Sequence, residues 1–167
     1  MKRLLLDTNI YGELVVDKDL FKLREKLGRK KQDIIYGFPL IRKELRATSK
    51  GKTYSEGKKL RVALLSLYDE FVGKHSLVVD ESQLKETALK YHDMYQSLGG
   101  NKAKSELLND FMIVACAAHK SMDLVVSNDD ASMLSELSIR SYKLVNEILN
   151  LHNPKFIGYE ELKKILL

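Results

Sequence analysis

Apolar residues in this chain come in short, hard-edged runs, and that pattern constrains the fold more than any single motif. Residues 4–6, 34–36, 77–79 and 124–126 are each continuous in apolar or aromatic character and each stops at polar or turn residues. Runs so short, with no alternation inside them, read as strands buried on both faces. Between them lie stretches of helical period. Residues 14–27 form one, Pro39 opens a second carrying Ile41, Glu44 and Leu45, and Leu60, Leu64, Leu67 and Phe71 mark the face of a third. Leu84, Ala88, Tyr91, Tyr95 and Leu98 mark the next, with Asp80 or Ser82 able to cap it and Gly99-Gly100 ending it. Residues 107–118 are apolar nearly all round, which predicts an enclosed helix. Residues 133–149 are mostly helical, with 138–144 as a short strand the alternative, and a weak fifth strand at 156–157 precedes a closing helix. Strands alternating with helices predict an α/β fold around a parallel sheet. Residues 49–57 read as a loop or a flexible helix start, no Pro/Gly/Ser linker divides the chain, and residues 1–167 are expected to form a single domain.

Three aspartates sit at the edges of those apolar runs. Asp7 closes the first, Asp110 opens the stretch from Phe111, and Asp129 follows the fourth after a Ser-Asn step. A carboxylate beside a dry segment is costly unless a cation or hydrogen-bond donors meet it. In open parallel sheets, ligands bind beyond the carboxyl ends of strands at the point where strand order reverses. Asp7 and Asp129 would meet there if their strands are neighbours. Asp110 would face either the positive end of its own helix or the same crevice. Glu44 lies near the core face of its helix. Several carboxylates on one spot repel one another, and a divalent cation with oxygen ligands relieves them. Each acid also has a plainer use: Asp7 as a strand-end turn, Asp110 or Asp129 as a helix cap, Glu44 as a partner of Arg42, Lys43 or Arg46.

Charge is unevenly spread. Residues 22–61 hold 14 Lys/Arg against four Asp/Glu, a net +10, which leaves −5 for the rest of a +5 chain. A basic region beside acidic pocket residues suits a polyanion whose phosphates are gripped while a cation acts on one of them. The same segment could also be a solvated lysine-rich face. Cys116 is alone and the four histidines are scattered, so neither a disulfide, a zinc site nor a Ser-His-Asp triad finds support. No apolar run approaches the roughly 18 residues needed to span a bilayer. The opening Met1-Lys2-Arg3 leads into a strand and not a signal segment, the expectation for a cytoplasmic protein.

Taken in order, these segments resemble the PIN-domain nucleases, and their VapC-like toxin members in particular. Asp7-Thr8-Asn9 after a leucine run resembles the family's opening D-x-N, and residues 41–45 its helix-borne acid before leucine. Asp110 with the eight residues after it resembles the D-a-x-I-A-A-x-A helix, and residues 126–129 the strand followed by [ST]-x-D. The resemblance implies a three-layer α/β/α sandwich with a parallel sheet in order 3-2-1-4-5. It implies one or two Mg²⁺ or Mn²⁺ ions bound by Asp7, Glu44, Asp110 and Asp129, with Asn9 and Ser127 holding the carboxylates; the chemistry of hydrolysis then sets Asp7, Asp110 and Asp129 on the metal and Glu44 at the reacting water. Arg42, Lys43, Arg46, Lys50 and Lys52 would grip the phosphates of an RNA substrate. An antitoxin partner and a homodimer are implied for toxin members; the extra helical segment at 50–71 and the long stretch at 133–151 leave a free-standing RNA-processing nuclease open. A non-catalytic RNA- or protein-binding domain is the other alternative.

Overall fold

The computed structural model describes residues 1–29 and 33–167. In chain order, β1 (Lys2–Leu6) leads to α1 (Thr8–Val16), α2 (Leu20–Arg29), β2 (Asp33–Tyr36), α3 (Pro39–Arg46) and α4 (Leu60–Val72). Then follow α5 (Glu81–Ser97), α6 (Lys104–His119), β3 (Leu124–Val126), α7 (Glu136–Ile148), β4 (Lys155–Ile157) and α8 (Tyr159–Leu166). The strands form one parallel sheet in the order β2-β1-β3-β4. In β1, Leu4, Leu5 and Leu6 are all fully buried. Successive strand side chains point to opposite faces, so both faces of the sheet are covered. The architecture is the expected α/β/α sandwich.

Three local differences from the sequence reading have physical causes. Residues 77–79 do not form a strand; the chain makes a single parallel bridge, Gly37 to Ser76, at the β2 edge, and Val78 is exposed. Gly37 donates to the His75 carbonyl at 2.9 Å and accepts from Leu77 N at 2.8 Å, but Pro39 then turns the chain into α3 and leaves residues 78–79 nothing to pair with. The expected order 3-2-1-4-5 therefore holds for four strands, with the outer one reduced to a bridge. The helix expected over 14–27 is two helices broken at Asp17. The Asp17 carboxylate accepts from Asp19 N (2.7 Å), Tyr159 OH (2.6 Å) and Lys163 Nζ (2.8 Å), which pins the elbow to α8. The third difference is at α6, which starts at Lys104, so Asp110 lies well inside it and caps nothing.

Residues 133–149 are helical from Glu136, not a strand, and Asp80 caps α5 by accepting from Gln83 N at 3.2 Å. The enclosed helix α6 carries the aromatic core. Phe111 meets Tyr91, Tyr95 and Tyr142 edge-on, at centroid separations of 6.3, 6.1 and 5.3 Å. Cys116 is fully buried, its thiol pushed up to about 12 by burial, as a small core residue. Among the described residues, no helix is long and apolar enough to cross a membrane.

Candidate functional site

The strand order reverses between β1 and β3. From β1 the chain crosses to β2 on one side, and later β3 is laid on the other. The two carboxyl ends lie side by side, tied by Asp7 N donating to the Val126 carbonyl at 2.9 Å. Asp7 is the residue after β1 and caps α1. It is only 5% exposed, and three donors meet its carboxylate. Thr8 N reaches Oδ1 at 2.7 Å, while Ser127 Oγ and Asn9 Nδ2 reach Oδ2 at 2.7 and 3.1 Å. The second oxygen has both lone pairs engaged; the first keeps one free.

Ser127 is the joint of this crevice. Fully buried, its hydroxyl donates to Asp7 and accepts from Asp129 N at 3.1 Å and Asn9 Nδ2 at 3.3 Å. Asn9 also accepts from Asn128 N at 3.2 Å, so the start of α1 and the turn after β3 are laced together. Asn128 Oδ1 in turn accepts from Tyr159 N at 2.9 Å. Asp129 Oδ1 accepts from Ser132 N at 2.9 Å, a side-chain-to-backbone bond three residues on that fixes its side chain. Glu44 Oε2 accepts a short hydrogen bond from the Thr8 hydroxyl, which places α3 against the start of α1.

The four acids act on one another's charge. Burial raises the Asp7 carboxyl, the Ser127 and Thr8 hydrogen bonds pull it down, and the charges of Glu44 and Asp129 push it up. Asp110 is pushed up to about 7, first by burial, then by Asp7, Asp129 and Glu44, and by a side-chain hydrogen bond with Asp129. Carboxyls so placed cannot all ionise cheaply without a countercharge. The donors are all oxygen, the preference of hard cations such as Mg²⁺ and Mn²⁺. Among the described residues, however, no three acids are drawn together tightly enough to hold an ion as they stand. An ion that keeps several of its waters fits such a loose set.

Asp7, Glu44, Asp110 and Asp129 thus lie near enough to act on one another's charge, and Asn9 and Ser127 hydrogen-bond to the Asp7 carboxylate. Thr8 is missed by sequence reasoning, although it stands inside the D-x-N motif; nothing in sequence says that its hydroxyl turns to another helix. Asn128 and Ser132 are missed for the same reason. Glu44 does not pair with Arg42, which instead makes a two-pronged contact with Asp69 at 2.9 Å on each prong. Lys43, Arg46, Lys50 and Lys52 are exposed, and Lys30 and Lys31 of the basic segment lie outside the described residues. Acids from α4 and the elbow offset part of that segment: Glu70 pairs with Arg24 at 3.1 Å and Asp19 with Lys22 at 3.3 Å. A cavity of about 640 Å³ lined by Val15, Asp17, Leu20, Arg24, Tyr54 and Lys58, among others, contains none of the four candidate acids. Size does not point to the chemistry here; charge does.

No protein-family model matches the sequence, and no curated protein matches it. Solved structures do. A chain of VapBC2 from Rickettsia felis, bound to a DNA fragment from its promoter, is 16% identical with a TM-score of 0.52, covering 93% of this chain and 98% of that one. A chain of VapBC-1 from nontypeable Haemophilus influenzae is 18% identical with a TM-score of 0.54, covering 95% and 98%. The likeness runs over nearly the whole of each chain, and at these identities it is one of fold: the chain has a PIN-like α/β/α architecture.

Proposed function

We propose that this chain is a single-domain, divalent-metal-dependent endoribonuclease that hydrolyses phosphodiester bonds in RNA. What supports the reading is the placing of four acids from four remote segments near the switch point of the sheet, with Asp110 pushed up to about 7 by burial first and then by Asp7, Asp129 and Glu44. A carboxyl raised by burial and by named charged neighbours in a crevice marks a candidate functional site. Asp7, Asp110 and Asp129 are the residues that would hold Mg²⁺ or Mn²⁺. When bound, the ion supplies countercharge to the phosphate oxygens and lowers the pKa of a water.

The chain's own groups do the rest. Asp7 is held in one rotamer by Thr8, Asn9 and Ser127 and offers its one free lone pair on Oδ1. Glu44, anchored through Oε2 by Thr8, keeps Oε1 to orient the attacking water and take its proton as the phosphorus–oxygen bond on the far side breaks. Lys43, Arg46, Lys50 and Lys52 are the phosphate contacts of this reading. Arg42 is engaged by Asp69 and contributes less. The two structures described above are VapBC assemblies, which supports a protein antitoxin as partner, with the chain acting as the toxin and, by the family resemblance, as a homodimer in the cytoplasm.

Two measurements test it. Purified protein with Mn²⁺ should cut single-stranded RNA, and a chelator should stop the cutting; RNA left intact with Mn²⁺ present sinks the reading. Between 50 and 200 mM salt, RNA binding should weaken at least about tenfold, and replacing Lys50 and Lys52 by alanine should lower the salt slope by about one to two. A slope that stays unchanged removes those lysines from the phosphate contacts.

A further inference from the structure

We propose that Lys102 is a positioning residue: its ammonium fastens the turn that carries Asp129. Lys102 Nζ donates to the Ala131 carbonyl at 2.6 Å and to Ser132 Oγ at 3.1 Å, across 29 and 30 residues. Ser132 is the residue whose backbone N–H holds Asp129 Oδ1 at 2.9 Å, and Leu134 N holds the Asp129 carbonyl at 2.9 Å. The turn therefore has an inner clasp, Asp129 on its own backbone, and an outer one, Lys102. Further ties come from Ser127, whose Oγ accepts from Asp129 N at 3.1 Å, and from α7, where the buried Tyr142 hydroxyl donates to the Met133 carbonyl at 2.9 Å.

Lys102 is itself held at its backbone. His92, 2% exposed on α5, donates from Nε2 to the Lys102 carbonyl at 3.2 Å, and Lys102 N donates to the Tyr95 hydroxyl at 3.4 Å. Gly99, at φ +99°, and Gly100 turn the chain back over α5. A Cβ at Gly100 would stand 2.3 Å from the Tyr95 ring, so only glycine lets the loop pass close enough to deliver Lys102 to the turn. A surface lysine has no need of two buried aromatic side chains beneath its backbone. Partners that hydrogen-bond directly to a metal-holding side chain set its orientation, and losing one costs about 10–100-fold in metal affinity or activity; Lys102 acts one step further out, through Ser132, so the lower end of that range applies.

This inference rests on the nuclease reading for its catalytic consequence but not for the clasp, so the experiment has two arms. In metal-free protein, Lys102→Met should speed amide exchange at Ser132 and Leu134 by at least about tenfold and leave exchange in β1 unchanged. With Mn²⁺, the same variant should bind the ion about tenfold more weakly by calorimetry and lose kcat by about tenfold, with the KM for RNA held. Lys102→Cys alkylated with 2-bromoethylamine should restore all of these; Cys116, fully buried, does not compete for the reagent. Unchanged amide exchange overturns the clasp. Faster exchange with wild-type Mn²⁺ affinity and kcat overturns its role toward Asp129. A wild-type protein that neither binds Mn²⁺ nor cuts RNA removes the nuclease reading, and the catalytic part of the inference falls with it.

Discussion

Asp7→Asn should reduce metal-dependent RNA cleavage at least about a thousandfold, about 4 kcal/mol of transition-state stabilisation. Asn has nearly the same shape, and its side-chain oxygen can still accept from Thr8 N, so the loss would come from charge and not from misfolding. The amide then faces Ser127 Oγ, which can rotate to accept, and Asn9, which has to turn away. Stability should hold or rise, because the wild-type carboxylate is buried at 5% exposure and raised by that burial. Cleavage rates with Mn²⁺ and a melting curve on the same preparation check both halves. A variant that melts normally and still cuts at the wild-type rate means that Asp7 holds the fold and not the ion.

Much of the fold was legible because burial on both faces writes a distinctive signature. Residues 4–6 and 124–126 allow no polar position, and only a strand between two helical layers tolerates that. What the run at 77–79 could not show is that β2 ends before it can be matched. Pairing is decided by the partner, and Pro39 turns the partner away. The α1–α2 break was hidden for a similar reason: Asp17 reads as a surface residue of one helix, and only Lys163 and Tyr159, more than 140 residues on, make it an elbow.

The site was legible in its acids and in the Asn9 and Ser127 ties to Asp7, and not in its other ties. A carboxylate beside an apolar run is costly enough to be noticed residue by residue, and strand ends alone place Asp7 and Asp129. For Asp110 only one of the two sequence readings holds. It is no cap, and its place in the crevice comes from the helix phase of α6, which begins six residues before it. Hydroxyl and amide side chains carry no such cost signal: Thr8, Asn128 and Ser132 are common residues whose partners lie in other elements. The basic count along 22–61 misleads in a smaller way, since Asp69 and Glu70 of α4 lie just beyond that segment and pair back into it.

Asp110 makes the metal-free protein pH-sensitive, and the direction can be worked out. Burial and three neighbouring acids lift its carboxyl from 3.8 to about 7, so between those values the folded state holds a proton that the unfolded chain has released. The folded state is therefore favoured at the acidic end, and that advantage is lost as pH rises from about 4 to about 7. Above 7 the ionised cluster repels itself. A tenfold difference in proton affinity between the folded and unfolded states is worth about 1.4 kcal/mol; discounted for the solvent that reaches a half-buried group, the net effect is about 1–2 kcal/mol. In a chain of this size that is about 3–6 °C in Tm. With chelator present, wild-type Tm should fall from pH 5 to pH 8 by that much more than the Tm of Asp110→Asn, and the variant should be the more stable of the two at pH 8. Mn²⁺ at about 100 times its Kd adds about 2.7 kcal/mol to the wild type. It should do so at pH 8, much less at pH 5 where a proton competes, and barely at all in Asp110→Asn. Thermal melts at the two pH values, with and without Mn²⁺, separate the contributions, because histidine titrations shared by both proteins cancel in the difference. If both proteins lose the same Tm and neither answers to Mn²⁺, the acids do not act as one charged site.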